Sequence, residues 1–331
     1  MNRFAFPWRP RARRRLVSVA GAALAAGLSI AAGAHAQETK VSVGVSGWTG
    51  FAPLTLAKEA GIFKKNGLDV TLRKIPQKDR HLALASGDIQ CAATTIETWI
   101  VWNANGVAGT QIFQMDKSYG ADGMVVRNSI GKIADLKGKT IAASAPGTSP
   151  YFVLAYMLKK NGLSPSDVKI VNLEPQAAAN AFVAGAGDLD AAMTYEPYLS
   201  VVRGAPNAGK IIATTLDYPA VLDSFGCAPK FLKDNPKAAK ALADSYFEAL
   251  DMIAKEPQKS YGIMGADVKQ SAEAFEKSQS MLRWSDRAAN VAFFNGEIQK
   301  FSKEAADLLL QIGIIKKIPD LDGLVDTQFL K

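Results

Sequence analysis

"KKNGL" stands at residues 64–68 and again at residues 159–163, and its surroundings repeat with it. Ahead of the first copy lies "VSVGVSGWTGFAPLTLAKEAGIF" (41–63), an apolar run, a Gly-punctuated turn and a helical pattern. Ahead of the second lies "KTIAASAPGTSPYFVLAYML" (139–158), with the same parts in the same order. Each copy is followed by a strand-like stretch, "DVTLRKI" (69–75) and "DVKIVNL" (167–173). Further on, "SGDIQCAATT" (86–95) is answered by "AGDLDAAMTY" (186–195), with Gly87, Asp88, Ala92 and Thr94 facing Gly187, Asp188, Ala192 and Thr194. A unit of this length present twice predicts two similar lobes, not a solenoid. Strands alternating with helices predict an α/β fold, each lobe a mostly parallel sheet covered on both faces.

In the first lobe the pattern predicts strands over 41–45, 68–74 and 89–93, with helices over 51–65 and 78–86. In the second it predicts strands over 140–143, 168–173 and 191–194, with helices over 148–160 and 175–184. From Pro236 onward the spacing is helical, as in "NPKAAKALADSYFEALDMIAKE" (235–256), where Leu242, Tyr246, Leu250 and Ile253 form one apolar stripe. These helices are expected to pack on the first lobe.

Residues 1–36 read as a targeting segment. Arg9, Arg11, Arg13, Arg14 and Arg15 precede the apolar "LVSVAGAALAAGLSIAAGA", which ends in "AHA", so cleavage is expected near Ala36 and the mature protein outside the cytoplasm. That segment holds six Arg and no acid, so of 39 basic and 31 acidic side chains the remainder keeps 33 and 31, a net charge of +2. Such a balance is no footprint for nucleic acid. The 295 residues that remain after the 36 of the segment are enough for two cores.

Two Cys, Cys91 and Cys227, and one His beyond the targeting segment, His81, leave little material for a metal site or a nucleophile–base pair. No cofactor and no metal are expected, and binding leads over catalysis. An exported chain can join the two Cys. Two buried free thiols on strands are the plainer reading of "IQCAA" and "FGCAP".

"SGWTGFAPLTLAKEAGIFKKNGLDV", "LASGDIQCAATT", "DLKGKTIAASAPGTSPYFVLAYMLKKNGL" and "VNLEPQAAANAFVAGAGDLDAAMTYEPYLS" together resemble the substrate-binding proteins of nitrate/sulfonate/taurine-type ABC transporters. The resemblance runs from Val41 to about Pro236. It implies a periplasmic binding protein type II fold with two chain crossovers, near "GADGMVVR" and "DSFGCAP". The lobes would comprise 37–126 and 223–331 for the first and 127–222 for the second. A monomer, a small-molecule ligand in the interlobe cleft and an ABC permease at the inner membrane as partner are implied with it. Two other functions use the same fold: an enzyme of the pyrimidine-precursor synthase type, and a module that senses a ligand for a receptor.

Ligands of open α/β sheets sit outside the carboxyl ends of the strands. That geometry selects Gly47, Trp48 and Thr49 after the first strand, and Thr94, Thr95 and Glu97 after the third. In the second lobe it selects Ser144, Thr148 and Ser149, then Tyr195 and Glu196. Asp122 and Asp223 lie near the crossovers, where hinge hydrogen bonding and ligand contact are both open to them. Trp99 and Trp102 are divided between core and cleft. Glu97, Asp116, Asp122, Glu196, Asp217 and Asp223 in these loops face one base, Lys117. The imbalance predicts a ligand bearing an ammonium or guanidinium group, either a taurine-like zwitterion or a simple organic cation.

Overall fold

The computed structural model describes residues 38–331, so the targeting segment expected over 1–36 lies outside the described residues. Eleven strands follow in chain order. They are β1 (Thr39–Val45), β2 (Leu68–Lys74), β3 (Cys91–Thr95), β4 (Thr110–Ser118) and β5 (Asp122–Val126), then β6 (Thr140–Ala143), β7 (Lys169–Asn172) and β8 (Ala191–Tyr195). The last three are β9 (Lys210–Thr214), β10 (Leu222–Cys227) and β11 (Leu282–Trp284).

They form two sheets, β11-β4-β10-β3-β1-β2 and β7-β6-β8-β5-β9. Each has the same kernel. β2, β1 and β3 run parallel in the first, as β7, β6 and β8 do in the second. Beside each kernel lies an antiparallel strand, β10 against β3 and β5 against β8. The repeated sequence is this repeated kernel, and the two antiparallel strands are the ends of the crossovers. The chain leaves the first sheet after Ser118 and returns with Leu222. β5 therefore pairs in the second sheet, so the passage comes ahead of residue 126, where the sequence reading ended the first lobe.

Alternation at period two explains the near-continuous apolar strands of the second lobe. Met124, Val126, Ile141 and Met193 enter one core cluster, while Val125, Ala142 and Ala192 enter another. In the first lobe the helix Pro236–Lys255 covers the sheet with Leu242, Tyr246 and Ile253. Phe113 on β4 stacks with Phe225 and with Tyr246, ring centroids 4.9 Å apart in both pairs. The C-terminal helices thus brace the strands that carry the site.

Three local expectations are corrected. The helix expected over 51–65 is a 3-10 turn (Thr49–Phe51), a helix (Ala52–Glu59) and a short helix (Ile62–Lys65). The break falls at Gly61, whose φ of +73° lies in the left-handed region that glycine tolerates. β3 begins two residues later than expected, at Cys91. Lastly, Cys91 and Cys227 are joined by a disulfide. They lie 136 residues apart, and only the antiparallel return of β10 sets them directly opposite one another.

Candidate functional site

A narrow cavity of about 20 Å³ lies between the lobes. The first lobe supplies Ser46, Trp48 and Phe51 from the turn after β1, and Thr94 and Thr95 from the end of β3. Gln77 and Arg80 enter from the helix Gln77–Ser86, and Asp223 from β10. The second lobe supplies Asp122 from β5, Tyr195 from β8 and Ser149 from the start of the helix Ser149–Lys160. The site lies at the carboxyl ends of the kernel strands in both lobes, as right-handed crossovers require.

The lobes touch across it. Gln77 Nε2 donates to Thr94 Oγ1 and Thr98 Oγ1, both at 2.9 Å, while its Oε1 accepts from the Ser149 amide at 3.2 Å. Trp48 meets Tyr195 edge to face, ring centroids 5.4 Å apart. Gly47 faces Tyr198 of the second lobe so closely that a Cβ would collide with the phenol oxygen.

Among the residues that line the cavity, Arg80 is the base. Arg80 is buried and holds its guanidinium by backbone carbonyls: Nη1 donates to Ala93 O at 2.6 Å, and Nη2 and Nε donate to Ile75 O at 2.9 and 3.3 Å. A guanidinium has five N–H groups. Two therefore remain without a protein acceptor among the described residues. Burial pulls its pKa down to about 10, against the raising effect of Tyr195, Asp223 and Glu174, so it stays a cation at neutral pH.

Acids cluster in and behind the same lining. Glu97, Asp116, Asp122 and Asp223 are all buried. Asp223 on β10 lies directly opposite Asp116 on β4 and opposite Thr95 on β3. Asp116 Oδ1 accepts from Trp48 Nε1 at 3.2 Å, whereas Asp116 Oδ2, Asp122 Oδ2 and Glu97 Oε2 have no hydrogen-bond partner among the described residues. Burial pushes Glu97 up to about 8, offset by the Thr95 hydroxyl that donates to it. Burial also pushes Asp122 up to about 7, with the hydroxyl of Ser118 opposing and the charge of Glu196 adding. Asp116 and Asp223 rise well above the usual carboxylate range, first by burial and then by charges in the same cluster.

Of the residues selected from sequence, Trp48, Thr94, Thr95, Asp122, Ser149, Tyr195 and Asp223 line this cavity. Glu97 stands behind Thr95, and Gly47 lies at an outer groove with Tyr195 and Tyr198. Thr49 is buried beside the turn, its amide donating to Glu196 O across the lobes at 3.4 Å. Three others do not reach the cavity lining. Ser144 and Thr148 turn their hydroxyls to the carbonyls of Leu173 and Ala145, at 3.5 and 2.6 Å. Glu196 pairs with Arg203 and accepts the Ser200 amide at 3.2 Å, so it fastens the helix Tyr198–Arg203. Lys117 and Asp217 are spent elsewhere, on Glu297 and on the Thr214 amide. Trp99 and Trp102 are core residues.

Arg80 and Gln77 were missed. The signal for Arg80 is an Arg four residues ahead of Leu84 on a short helix, on the face that the apolar residue buries.

A family model described as the NMT1-like family matches residues 34–262. The chain belongs to the NMT1-like family. It is 31% identical over 222 residues to the taurine-binding periplasmic protein of Escherichia coli (strain K12), covering 64% of this chain and 67% of that protein. In structure it resembles the alkanesulfonate-binding protein SsuA from Xanthomonas axonopodis pv. citri bound to MOPS. The TM-score is 0.74 at 18% identity, covering 88% of this chain and 99% of that one. The two-lobed periplasmic binding protein fold is thereby shown for this family member. The desulfurization enzyme DSZB also shares it, with a TM-score of 0.63 at 15% identity over 88% of this chain and 97% of that one. At such identities the likeness speaks of fold alone, and the residues of the cleft must decide what the fold is used for.

Proposed function

We propose that the chain is the exported, monomeric substrate-binding component of an ABC importer. It captures a small oxyanion-bearing solute of the sulfonate class between its lobes and hands it to an inner-membrane permease. The observation that carries this reading is Arg80, buried in an interlobe cavity with two N–H groups unspent. A planar fork of that kind matches two oxygens of an oxyanion. The likeness to a taurine-binding periplasmic protein supports the class of solute, and the disulfide supports an oxidising compartment.

The protein is a carrier and not a catalyst. Contacts made to the solute by both lobes at once favour the closed form, which a permease can distinguish from the open one. A thermal-shift screen of the processed protein against taurine, alkanesulfonates and nitrate tests the reading. A ligand at a hundred times its dissociation constant stabilises by about 2.7 kcal/mol. Absence of any shift with every oxyanion would sink it, as would recovery of the bound compound in altered form by mass spectrometry.

A further inference from the structure

The acids of the cavity are unexplained by an oxyanion. Three buried carboxylate oxygens, on Asp116, Asp122 and Glu97, have no hydrogen-bond donor among the described residues. Asp122 is 4% exposed and Asp223 2%, and both line the cavity. They come from opposite lobes, Asp122 opening β5 of the second sheet and Asp223 standing on β10 of the first. Closure therefore brings acids of the two lobes together in a site that water leaves, where their charge must be lost to protons or matched by a cation. Arg80 is the cation among the cavity-lining residues, and its guanidinium is already fixed on carbonyls. The aromatic rings of Trp48 and Tyr195 stand beside the acids, with Trp48 tied to Asp116. Carboxylates with aromatic rings beside them form a seat for a positively charged nitrogen.

We propose that a cationic nitrogen on the ligand is the latch that closes the lobes, held between Asp122 of the second lobe and the Asp116–Asp223 pair of the first. The inference rests on the reading of the cleft as the solute site and adds a requirement to it. The solute carries an ammonium or guanidinium group, and that group, not the oxyanion, decides whether the lobes stay shut. An oxyanion contacts Arg80 of the first lobe whether the lobes are open or closed. A contact equal in both states shifts no population. The nitrogen meets both sets of carboxylates only in the closed form, so it supplies the difference. Thr95, which donates to Glu97, orients that carboxylate and is a positioning residue.

Calorimetry and small-angle scattering on the processed protein, with taurine, isethionate and ethylamine, test this. Isethionate keeps the sulfonate and replaces the amine by a hydroxyl. Taurine is expected to compact the protein. Isethionate is expected to bind on the order of 100-fold more weakly and to leave the scattering profile open, since it leaves the buried acids without their cation. The ligand-free variant Asp122→Asn/Asp223→Asn is expected to be more compact than the wild type and to bring taurine and isethionate within a few-fold of each other. Asp122→Asn alone, which leaves the first-lobe pair intact, gives the same reading in smaller measure if the double variant does not fold. Equal affinity and equal compaction by taurine and isethionate would overturn the latch while leaving the sulfonate reading intact. Compaction by ethylamine with no binding of either sulfonate would uphold the latch and sink that reading. If no compound compacts the protein and the ligand-free variants stay open, the latch is wrong.

Discussion

Glu97 and Asp122 make pH a direct probe of the site. In an unfolded chain such carboxyls titrate near 4. Folded, Asp122 titrates at about 7 and Glu97 at about 8. The native state thus binds protons that the unfolded state has released, and stability falls as pH rises. The loss begins near the unfolded values and is complete once pH passes the folded ones. Urea titrations of the ligand-free protein should therefore give a higher midpoint at pH 5 than at pH 8.5, and a higher midpoint at pH 8.5 would contradict the burial of uncompensated acids. Glu97→Gln isolates one group. The amide has the shape of the protonated acid, so the variant should match the wild type at pH 5 and exceed it at pH 9. Trp48 carries a different expectation. Its buried indole serves Asp116, so Trp48→Phe keeps most of the ring but removes the donor, and should cost about 1–3 kcal/mol in urea unfolding while weakening the ligand. Trp48 is wall and support at once.

Elements carry the second kind of consequence. The turn after β1 reaches the second lobe at Gly47, where Tyr198 leaves no room for a methyl. Because the obstruction belongs to the approach of the lobes and not to either lobe alone, Gly47→Ala should spare the melting temperature of the ligand-free protein. Ligand affinity should fall by at least tenfold, measured by calorimetry; a lowered melting temperature with unchanged affinity would place the fault inside one lobe. The strand-end loops were legible because duplication marks the kernel and topology dictates which end of it binds. Five of the loop residues so chosen meet at the cavity, together with Asp122 and Asp223 from the crossovers. Arg80 was not legible, since its role depends on a helix face and on the carbonyls of Ile75 and Ala93, which the pattern of residue types does not display. Ser144, Thr148 and Glu196 stood in the right loops but had local partners to satisfy, and short polar side chains at helix starts commonly do.

At the scale of the molecule, two sheets depend on two short passages of chain. Thr215 joins them: its hydroxyl meets Ser118 Oγ at 2.7 Å and accepts the Gly120 amide at 2.8 Å. Thr215→Val removes both contacts at the point about which the lobes turn, and scattering of the ligand-free variant should show a broader distribution of openings than the wild type. An unchanged profile would assign the hinge elsewhere. The two lobes were legible from "KKNGL" and its neighbours. The disulfide was not, because the strand that brings Cys227 to Cys91 follows a whole lobe's worth of sequence. Reduction, or Cys91→Ala/Cys227→Ala, should lower stability by about 2–5 kcal/mol, as loss of a cross-link closing a long loop does.

That cross-link ties the chain at both borders of the excursion that makes the second lobe, since β5 through β9 all fall between Cys91 and Cys227. Topologically the second lobe is a bead on a closed ring. A protease that nicks any exposed segment of it, such as the turn at 204–209, breaks the ring without parting the molecule. The two pieces would migrate as one species on a non-reducing gel and as two after reduction. A clipped protein would then keep the first-lobe wall of its site in register while losing the continuity of the second.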